Sequence, residues 1–371
     1  MKILHIAETA KGGVGTVLHS LVHHQRSQSD VTKVSCLLPL EHSKDVELYG
    51  DVEYRFFNRK KRSINSLLHF ALKTACILYS TKPDVVHLHS SFAGMIARPM
   101  AWLICGKKTK IIYSPHAFSF LMDTSALKKK CYIKIEKAMS FFCDKIICVS
   151  DYEYISAIEA SLAKDKLVMI YNGVDKKTKK NSRVLNDHGG VFKLLFVGRI
   201  DYQKGFDILI DVVNSINKDE LRYKIELTVV GDSVNDVRDK YNVSNDNLNI
   251  AYKGWLNQEK IEKHYLESDF VILPSRWEGF AMVPLESMSY GTPVIVSDIP
   301  PFIELISKKD SGIHFSLDDK KTLLEVLINL DKNDRQKLSS LGYSSFSEYF
   351  TSDKMNSETL ILYKNTINSG V

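Results

Sequence analysis

The segment RWEGFAMVPLESMSYGTPVIVSD carries two glutamates, Glu278 and Glu286, with seven residues between them. Gly279 follows the first glutamate, and Pro284 stands where a helix is predicted to begin, since its missing N–H has no partner in a first helical turn. Two carboxylates repel an anion, so this pair favours binding of sugar hydroxyls over neutralising a charge. Two such glutamates alone are more often surface charge, but the neighbouring Gly and Pro favour a functional role.

The same segment predicts an anion site made of main-chain groups. A strand ending at Leu273, a glycine-containing loop and a helix start would leave backbone N–H groups without partners inside the helix. Such groups bind phosphate, helped by the positive end of the helix dipole. The predicted site consists of the N–H groups of the residues that follow Gly279, which are Phe280, Ala281, Met282 and Val283.

A second segment, VGRIDYQKGFDILI, places a strand end at Gly198 and a helix start at Gly205. Arg199 and Lys204 stand in the loop between them. Arg offers a planar fork and Lys a point charge, and both suit a diphosphate leaving group that gains negative charge. In isolation such residues are more often solvated; beside a second anion site they predict an electrophile that needs no metal ion.

Two features of the N-terminal half also follow predicted strand ends. Gly12, Gly13 and Gly15 in AETAKGGVGTVLHSL either permit close approach of the backbone to a ligand or form a tight turn. Their spacing matches neither a Walker loop nor a strict G-x-G-x-x-G pattern. His116 in IIYSPHAFSF is a candidate to orient a ligand or share a proton with it, with a structural role as the alternative.

Metal chemistry has little support in the sequence. His87 and His89 alternate along one predicted strand, so they share a face and are expected to pack or to line a site rather than bind a metal. The chain has no Asp-x-Asp triplet; Asp-x-Glu begins at Asp45, Asp51 and Asp151, the first two in polar loop-like sequence and the third in a capping-box sequence. No metal and no other cofactor is expected.

The composition indicates a folded protein of two domains. The chain has 371 residues, 44% of them apolar and 25% charged, and a domain takes roughly 150 residues. No run of apolar residues is long enough for a transmembrane helix, and the start MKILHIAETAKGG is too short for a signal sequence and predicts a strand. The six scattered cysteines lack a C-x-x-C pair, which favours free cytosolic thiols.

Charge is divided unequally along the chain. Residues 1–180 carry a net charge of +12 and the remaining residues −6, which together give the overall +6. Basic groups cluster in FFNRKKR, which ends at Arg62, and at Lys128, Lys129 and Lys130. Such clusters attract anionic membrane surfaces, with a solvated lysine-rich surface as the alternative. No nucleic-acid motif accompanies them, so no nucleic-acid partner is expected.

Short apolar segments alternate with helical ones throughout, which predicts parallel sheets with crossover helices. Ser150 and Glu153 have the spacing of a capping box at one helix start. Further helices are expected from about Phe206, after Val283, and from about Asp318, Asn333 and Asp353. The predicted strands are KILHIA, TKVSCLL, VEYRFF, DVVHLH, TKIIYS, KIICVS and LVMIY, then FKLLFVG, IELTVVG, NLNIAYKG, DFVILP, TPVIVSD and SGIHF.

A polar stretch, residues 176–190, is predicted to be an interdomain linker. The predicted domains are residues 1–178, residues 179–350 and a C-terminal helix, 351–371, that packs back toward the N-terminal domain. The fold class is α/β, with two doubly wound, Rossmann-like parallel-sheet domains expected to face each other across a ligand-binding cleft.

The motifs, and the order in which they follow one another along the chain, resemble those of the family 4 retaining glycosyltransferases. These enzymes have the GT-B fold and use nucleotide-sugar donors. The resemblance covers nearly the whole chain. Its first loop lacks the Lys-x-Gly-Gly order of the glycogen-synthase relatives, so Lys11 receives no donor role. The matching segments are KGGVG, DVVHLHSSFAG, SPHAFSF, CVSDYE, MIYNGVD, VGRIDYQKG and the segment that contains Glu278 and Glu286.

The resemblance implies a role for each matching residue. Arg199 and Lys204 match residues that bind the donor diphosphate, and Gly198 and Gly13 lie in the loops that approach it. Glu278 would contact donor-sugar hydroxyls, Glu286 the ribose, and His116 the transferred sugar. The loop of residues 279–283 would approach phosphate and sugar through its amides. The implied catalytic residues are Arg199, Lys204, Glu278 and His116.

The implied reaction transfers a hexose or N-acetylhexosamine, with retention, from a nucleoside-diphosphate sugar, expected to be a UDP-sugar. The acceptor would be a hydroxyl of a glycan or lipid-linked glycan in capsule or O-antigen synthesis. A cytoplasmic enzyme is expected, with peripheral contact to the inner face of an anionic membrane through the basic cluster ending at Arg62 and the apolar residues near His116: Phe118, Phe120, Leu121 and Met122.

Three other functions fit parts of the sequence less well. A nucleotide-sugar epimerase on the same fold would need no acceptor, and the paired glutamates argue against it. A phosphorylase would need a cofactor lysine site and usually a longer chain. A non-catalytic nucleotide-sugar-binding protein would be expected to have lost at least one of Arg199, Lys204, Glu278 and Glu286, and all four are present.

Overall fold

The computed structural model describes residues 1–59, 63–177, 190–216, 223–232 and 248–369. The chain forms two compact units: the first comprises Met1–Val174 with Thr351–Val371, and the second Asp175–Phe350. The units thus divide at residues 174 and 350, against predicted boundaries at 178 and 350. Most of the predicted linker, residues 178–189, lies outside the described residues.

The first unit is built on a seven-stranded sheet in which every described pairing is parallel. Its strands are β1 (Lys2–Ala7), β2 (Lys33–Pro39), β3 (Glu53–Phe57), β4 (Val85–His89), β5 (Lys110–Ser114), β6 (Lys145–Cys148) and β7 (Leu167–Met169). Its helices are α1 (Gly12–Arg26), α2 (Ile64–Thr81), α3 (Ser91–Cys105), α4 (Ala126–Ser140), α5 (Asp151–Glu159) and α12 (Ser352–Asn368). The strand order is β3-β2-β1-β4-β5-β6-β7, which reverses direction between β1 and β4.

The second unit repeats this design with a six-stranded parallel sheet. Its strands are β8 (Val191–Val197), β9 (Lys224–Val230), β10 (Leu248–Gly254), β11 (Phe270–Leu273), β12 (Val294–Ser297) and β13 (Gly312–Phe315). Its helices are α6 (Phe206–Ser215), α7 (Gln258–Glu267), α8 (Met282–Ser289), α9 (Pro300–Ser307), α10 (Lys320–Ile328) and α11 (Lys332–Tyr349). The order β10-β9-β8-β11-β12-β13 reverses between β8 and β11.

These two sheets confirm the predicted fold class and every predicted strand. Central strands such as β4, β11 and β12 are buried along their whole length because crossover helices cover both faces of the sheet. In open sheets of this kind, ligands bind at the carboxyl ends of the strands beside the point where strand order reverses. The relevant positions are therefore the loops after β1, β4, β8 and β11.

The predicted helix starts are displaced by one or two residues. Asp319 and Asp331, rather than Asp318 and Asn333, cap α10 and α11 with their carboxylates. Thr351 caps α12, where Asp353 was expected to mark the start. Several neighbouring residues have cap-forming side chains, and the one whose oxygen reaches the free N–H groups is decided by the path of the incoming chain.

The chain re-enters the first unit where Val174 pairs with Thr351 in an isolated parallel bridge. From there α12 packs against α1, and Lys364 forms an ion pair with Asp30 at 2.6 Å. Gly173 makes this crossing possible, because a Cβ at that position would lie 2.3 Å from the carbonyl oxygen of Thr351. Only a residue without a side chain fits there.

Replacing Gly173 by Ala is therefore expected to lower the free energy of unfolding by about 1–3 kcal/mol, because the added methyl group must displace backbone. Urea unfolding followed by circular dichroism measures this. Gly50→Ala is the matched control, since no atom lies within 4 Å of a Cβ at Gly50. Equal unfolding midpoints for the two variants would contradict the packing argument.

Candidate active site

Two loops of the second unit leave neighbouring strand ends and are joined by hydrogen bonds. Because β8 and β11 are adjacent and parallel, the loops that follow them start at the same edge of the sheet. The Arg276 N–H donates to the Gln203 carbonyl oxygen at 2.8 Å, and the Gln203 side-chain amide donates to the Trp277 carbonyl oxygen at 3.1 Å. The two predicted donor-binding segments thus form one connected surface.

Lys204 and Glu278 meet where these loops touch. The Lys204 Nζ lies 2.6 Å from Glu278 Oε1, and the two side chains are 16% and 9% exposed. The backbone N–H of Lys204 donates to Asp201 Oδ1 at 3.0 Å, which fixes the start of this turn. The structure therefore pairs a cation from one predicted segment with a carboxylate from the other, close to solvent.

Gly205 determines how closely the loops approach. It adopts a left-handed conformation with φ +66°, and a Cβ there would lie 1.8 Å from the Pro274 carbonyl oxygen. Both conditions require glycine, the first because of backbone conformation and the second because of space. Gly205 also precedes α6, whose first residue is Phe206, as predicted.

Arg199 lies on the same loop but makes different contacts from Lys204. Its guanidinium donates to Gln203 Oε1 at 2.8 Å and lies 3.1 Å from Asp201 Oδ2, while its side chain is 52% exposed. Gly198, immediately before it, has φ +153°. Arg199 therefore presents its charge to solvent, and Lys204 holds its charge against Glu278.

Arg276 connects the loops further and has no role in the sequence-based prediction. Its guanidinium binds both carboxylate oxygens of Asp207, at 2.8 and 2.6 Å, and stacks over the Tyr202 ring at 3.9 Å. Burial alone would raise the pKa of Asp207, but the hydrogen bonds and charge of Arg276 outweigh burial and hold that pKa below its usual value. The sequence signal was weak, since a lone Arg before Trp277 has no characteristic spacing.

In the segment predicted to bind phosphate, the helix begins two residues before the predicted start. Helix α8 begins at Met282, two residues before Pro284, with Ala281 as its N-cap and no side-chain cap. Pro284 is compatible with this start because N–H groups in the first turn lack helical partners. Of the predicted residues, Met282 and Val283 thus lie inside the helix, while Gly279 and Phe280 are buried in the loop before it.

Phe280 has a structural role besides any main-chain contact. Its ring is 6% exposed and lies 5.4 Å from the ring of Phe350, both in the second unit. The ring therefore anchors the loop before α8 in the core. The uncapped start of α8 remains an anion-binding geometry, now centred on Met282 and Val283 rather than on residues 280–283.

Glu286 has a different hydrogen-bond partner from the Lys204–Glu278 pair. Its Oε2 accepts a hydrogen bond from the Tyr265 hydroxyl at 2.7 Å, a partner absent from the sequence-based prediction. Burial raises the pKa of Glu286, while the Tyr265 hydrogen bond and the charge of Lys177 oppose this rise. One carboxylate oxygen is thus occupied by Tyr265, and Oε1 has no hydrogen-bond partner among the described residues.

In the first unit, the glycine cluster forms the start of α1 rather than a loop. Gly13 is exposed in the first turn, and the side chain of Lys11 at the N-cap makes no capping hydrogen bond to the helix. At Gly15 a Cβ would lie 2.5 Å from the Ala10 carbonyl oxygen, so that glycine is required by packing. Gly13 is therefore placed at an open helix start at the carboxyl end of β1.

His116 follows β5 in a left-handed conformation, with φ +53°, and Ala117 continues it with φ +100°. Glu153 holds this turn: its Oε1 accepts hydrogen bonds from the N–H groups of Ala117 and Phe118, both at 3.0 Å. Burial raises the pKa of Glu153 to about 7 against the opposing effect of these N–H donors. The strained turn therefore has a specific buried support.

Glu153 only half fulfils the capping-box prediction. The Ser150 hydroxyl accepts from the Glu153 N–H at 3.0 Å as expected. The carboxylate does not return to Ser150; its Oε2 accepts from Val149 N–H at 2.7 Å, and Oε1 holds the turn after His116. Tertiary contact thus redirects a side chain that local spacing assigns to the helix start.

A group of buried histidines surrounds His116, and one of them, His5 on β1, was missed. His89 Nδ1 lies 3.0 Å from His116 Nε2, and His5 Nδ1 lies 3.0 Å from His89 Nε2. His5, His87 and His89 each bring one ring nitrogen within 4.8 Å of the others, a grouping that could hold a metal ion. No local sequence signal places His5 beside the other histidines; the parallel pairing of β1 with β4 in the structure sets it opposite His87.

Burial lowers the pKa of all four rings. The pKa values of His5 and His116 fall to about 4, and those of His87 and His89 fall well below the ordinary 6.5. All four imidazoles are therefore neutral at pH 7.

The prediction of an apolar surface near His116 is wrong for two of its four residues, because Phe118 and Phe120 are buried. Phe118 is fully buried and Phe120 is 6% exposed, with their rings stacked at 4.7 Å in the core. Leu121 is partly buried, and Met122 is 41% exposed. Close to His116, the structure therefore offers little exposed apolar area for a lipid.

The basic cluster that ends at Arg62 is also less exposed than expected at Arg59. The side chain of Arg59 is 18% exposed and forms an ion pair with the buried Glu8 at 2.6 Å. Glu8 therefore neutralises most of the charge that Arg59 was expected to present to a membrane. Residues 60–62 lie outside the described residues. Among the helices described here, none combines the length and apolar character needed to cross a bilayer.

Two family models match consecutive parts of the chain: "Glycosyltransferase Family 4" over residues 11–178 and "Glycosyl transferases group 1" over residues 177–345. A 41.2 kDa protein in the cps region of Klebsiella pneumoniae is 37% identical over 335 residues, 88% of this chain and 89% of that protein. The chain belongs to glycosyltransferase family 4. It is therefore a glycosyltransferase of the GT-B fold, with relatives in bacterial surface-polysaccharide loci.

Two further comparisons are informative. The Escherichia coli UDP-Gal:α-D-GlcNAc-diphosphoundecaprenol α-1,3-galactosyltransferase is 28% identical over 273 residues, 68% of each chain. The crystal structure of Anabaena HepE with UDP and glucose superposes with a TM-score of 0.77 at 17% identity, covering 98% of this chain and 100% of HepE. The latter likeness shows the shared fold.

Acid is expected to destabilise the first unit of this family 4 enzyme selectively. With folded pKa values below the unfolded 6.5, its buried histidines add stability that is present above pH 6.5 and lost as the pH falls toward 4. At about pH 5 the loss is about 2 kcal/mol for each of His5 and His116. Together they exceed the opposite contribution of about 2 kcal/mol from Glu153, whose pKa of about 7 lies above its unfolded value, so that its protonation stabilises the unit as the pH falls. Urea unfolding of a Trp255→Phe/Trp277→Phe variant, in which Trp102 reports on the first unit, measures the net loss.

A Trp102→Phe variant keeps the two tryptophans of the second unit and serves as the control. Among the described histidines of that unit, His264 has a lowered pKa and is only partly buried, so the acid effect there should be smaller. Equal losses in the two units between about pH 7.5 and about pH 5 would contradict the assignment.

Proposed function

We propose that this glycosyltransferase moves a hexose or N-acetylhexosamine from a UDP-sugar to a hydroxyl of a glycan or lipid-linked glycan, with retention of the anomeric configuration. The observation that carries the proposal is the Lys204–Glu278 pair, 2.6 Å apart, in the loops beside the uncapped start of α8. A diphosphate and a sugar need this combination of a cation, main-chain N–H donors and a carboxylate.

The donor diphosphate would bind Lys204, Arg199 and the start of α8. Lys204 is a compact charge already aimed at the junction of the two loops, and Arg199 offers an exposed planar fork. On binding, the phosphate oxygens would take over the Lys204 ammonium, and Glu278 would turn to accept hydrogen bonds from the sugar hydroxyls. The pair thus keeps both groups in place before the donor arrives.

The contacts of the two glutamates bear on the route of a retaining transfer and favour front-face attack over a double displacement. Glu286 is engaged by Tyr265, and in the proposed complex Glu278 accepts hydrogen bonds from sugar hydroxyls, so neither carboxylate is assigned as a nucleophile toward the anomeric carbon. Attack of the acceptor on the same face as the leaving group, with the departing phosphate taking the acceptor's proton, fits these contacts. The cations and N–H donors would stabilise the leaving diphosphate, an effect of about 3–4 kcal/mol per donor.

Glu286 and the relatives support the nucleotide assignment. Glu286 has one oxygen held by Tyr265, which leaves Oε1 to accept from ribose hydroxyls. UDP is bound by HepE, and the Escherichia coli relative is named for UDP-Gal and a diphosphoundecaprenol-linked acceptor. The cps-region relative supports a role in surface-polysaccharide synthesis.

Membrane contact is proposed through the outer helices of the first unit rather than the residues near His116. On α2, Ile64, Leu68, Leu72 and Tyr79 are 58–78% exposed and recur at helical spacing, which forms an apolar stripe. The adjacent α3 adds exposed apolar side chains such as Leu103. Exposed lysines lie on α2 at position 73, after α3 at positions 107 and 108, and on α4 at positions 128 and 130. Apolar and basic groups together bind anionic lipid surfaces.

The donor site is tested by measuring UDP release from UDP-sugars with and without lipid-linked acceptors. Lys204→Ala and Glu278→Ala are each expected to lower kcat by about 100-fold or more, because each removes a contact to the reacting donor. Lys320→Ala, which breaks an exposed ion pair with Asp211 in the same unit, is the control and should keep wild-type turnover. Equal turnover in all three variants would end the site assignment.

The same assay tests two further parts of the proposal. Turnover should persist in EDTA, since Lys204, Arg199 and main-chain groups are proposed to stabilise the leaving group; loss of turnover that a divalent cation restores would contradict this. NMR of the product should show the anomeric configuration of the donor.

Binding to anionic vesicles at low ionic strength tests the membrane contact. Wild-type protein is expected to co-sediment, and Leu68→Ser/Leu72→Ser should weaken binding at least about 10-fold because two apolar side chains no longer enter the interface. Leu266→Ser, at an exposed apolar residue of the second unit, is the control. Failure of the wild-type protein to bind such vesicles would rule out the proposed contact.

A further inference from the structure

A chain of four side chains runs through the first unit from Gln25 on α1 to His116 after β5. Gln25 Oε1 lies 2.8 Å from His5 Nε2, His5 Nδ1 lies 3.0 Å from His89 Nε2, and His89 Nδ1 lies 3.0 Å from His116 Nε2. Gln25, His5 and His89 are fully buried. The chain therefore connects the deep core of the unit with the strained turn that carries His116.

Such a chain has a direction. A neutral imidazole has one N–H donor and one lone pair, so each ring that donates on one side must accept on the other. Burial lowers the pKa of His5, His89 and His116 far enough that all three rings are neutral at pH 7. One fixed end is therefore enough to determine the tautomer of every ring in the chain.

Gln25 supplies that fixed end. Its Oε1 can only accept, so His5 must carry its proton on Nε2 and leave Nδ1 as a lone pair. His89 then donates from Nε2 to His5 and keeps a lone pair on Nδ1. By the same step His116 donates from Nε2 to His89, and its Nδ1 is left unprotonated.

We propose that Gln25, His5 and His89 are positioning residues that hold His116 in the Nε2–H form, so that its Nδ1 lone pair accepts a hydrogen bond from a substrate hydroxyl. The identity of the hydroxyl, that of a sugar, rests on the proposed function; the tautomer does not. A lone pair attracts an O–H and repels a phosphate oxygen, so the chain directs His116 toward sugar rather than diphosphate.

Two observations indicate that His116 is prepared for such a contact. No described residue forms a hydrogen bond with its Nδ1, while its Nε2 is occupied by His89. Its backbone is held at φ +53° by the hydrogen bonds from Ala117 and Phe118 to Glu153. A strained conformation with dedicated buried support is typical of a residue that must present one atom in a defined direction.

The amide of Gln25 is the element that sets the direction. Burial raises the pKa of the Tyr363 hydroxyl, and its interaction with the Gln25 amide opposes that rise, which favours Nε2 as the donor toward Tyr363 and leaves Oε1 to accept from His5. If the amide were reversed, Nε2 would donate to His5, and every proton in the chain would move to the opposite nitrogen. The two arrangements predict opposite tautomers for His116.

His87 provides a matched control from the same cluster. It is as buried as His89 and its ring centroid lies 4.0 Å from that of His89. Its nitrogens, however, bond to the Tyr363 hydroxyl at 2.5 Å and to the Ser114 hydroxyl at 2.7 Å, outside the chain from Gln25 to His116. His87→Gln therefore leaves the three hydrogen bonds of the chain in place, and its amide can keep the bond to the Tyr363 hydroxyl, which in turn contacts Gln25.

The first experiment is 15N NMR of histidine-labelled, unliganded protein at neutral pH, which distinguishes protonated from unprotonated ring nitrogens. We expect His116, His89 and His5 to carry the proton on Nε2. Gln25→Met removes the acceptor and should give His116 a mixture of tautomers, whereas His87→Gln should leave the His116 signals unchanged. A proton on Nδ1 of His116 in the wild-type protein would overturn the proposal, as would an unaltered His116 in Gln25→Met.

The second experiment measures UDP release. Gln25→Met and His116→Gln are expected to lower kcat about 10-fold or more with KM for the donor changed less than about threefold, and His87→Gln to keep wild-type kcat. Wild-type kcat in His116→Gln would overturn the hydroxyl contact. Failure of the proposed function shows separately, as absence of a Lys204→Ala effect, because the NMR result needs no substrate.

Metal analysis of the purified protein completes the test. The expected result is no stoichiometric metal, because the facing nitrogens of His5 and His89 share a proton. One zinc ion per chain, with His5, His87 and His89 signals that change on chelation, would replace the hydrogen-bonded chain by a metal centre and overturn the proposal.

Discussion

The close approach of Gly205 to the carbonyl oxygen of Pro274 is the constraint on which the contact between the loops after β8 and β11 depends. A side chain at Gly205 would collide with that oxygen and force the loop after β8 away from the loop after β11. Lys204, the preceding residue, could then no longer reach Glu278 at 2.6 Å. The hydrogen bonds of Gln203 and the Arg276–Asp207 pair reinforce this junction, but they act only because the two loops already touch.

The titratable groups of the two units differ in their charge. In the second unit the charged side chains of Lys204 and Glu278 are paired and partly buried, and the proposed function requires that this pair open to exchange partners with a donor. In the first unit the titratable groups around His116 are buried and neutral, which makes a directed hydrogen-bonded chain possible. Burying neutral histidines also makes the stability of this unit depend on pH.

Much of this organisation could be predicted from local patterns. The thirteen strands were evident because apolar runs of strand length alternate with helical stretches, and parallel pairing follows from that alternation. Glu153 shows the limit: its spacing to Ser150 indicates a capping box, yet its carboxylate supports the turn after His116 instead. Phe118 and Phe120 show the same limit, since an apolar side chain looks alike in sequence whether it faces lipid or the core.

The sequence by itself determined the fold class, the family and the residue types available at each strand end, because these depend on periodicity and on motifs that are contiguous in the chain. Only the tertiary structure decided which of those residues meet. Lys204 and Glu278 are 74 positions apart, and His5 and His89 are 84 apart. The neighbour relations of β8 with β11 and of β1 with β4 bring them together, and strand order is set by packing of the whole sheet rather than by any short segment.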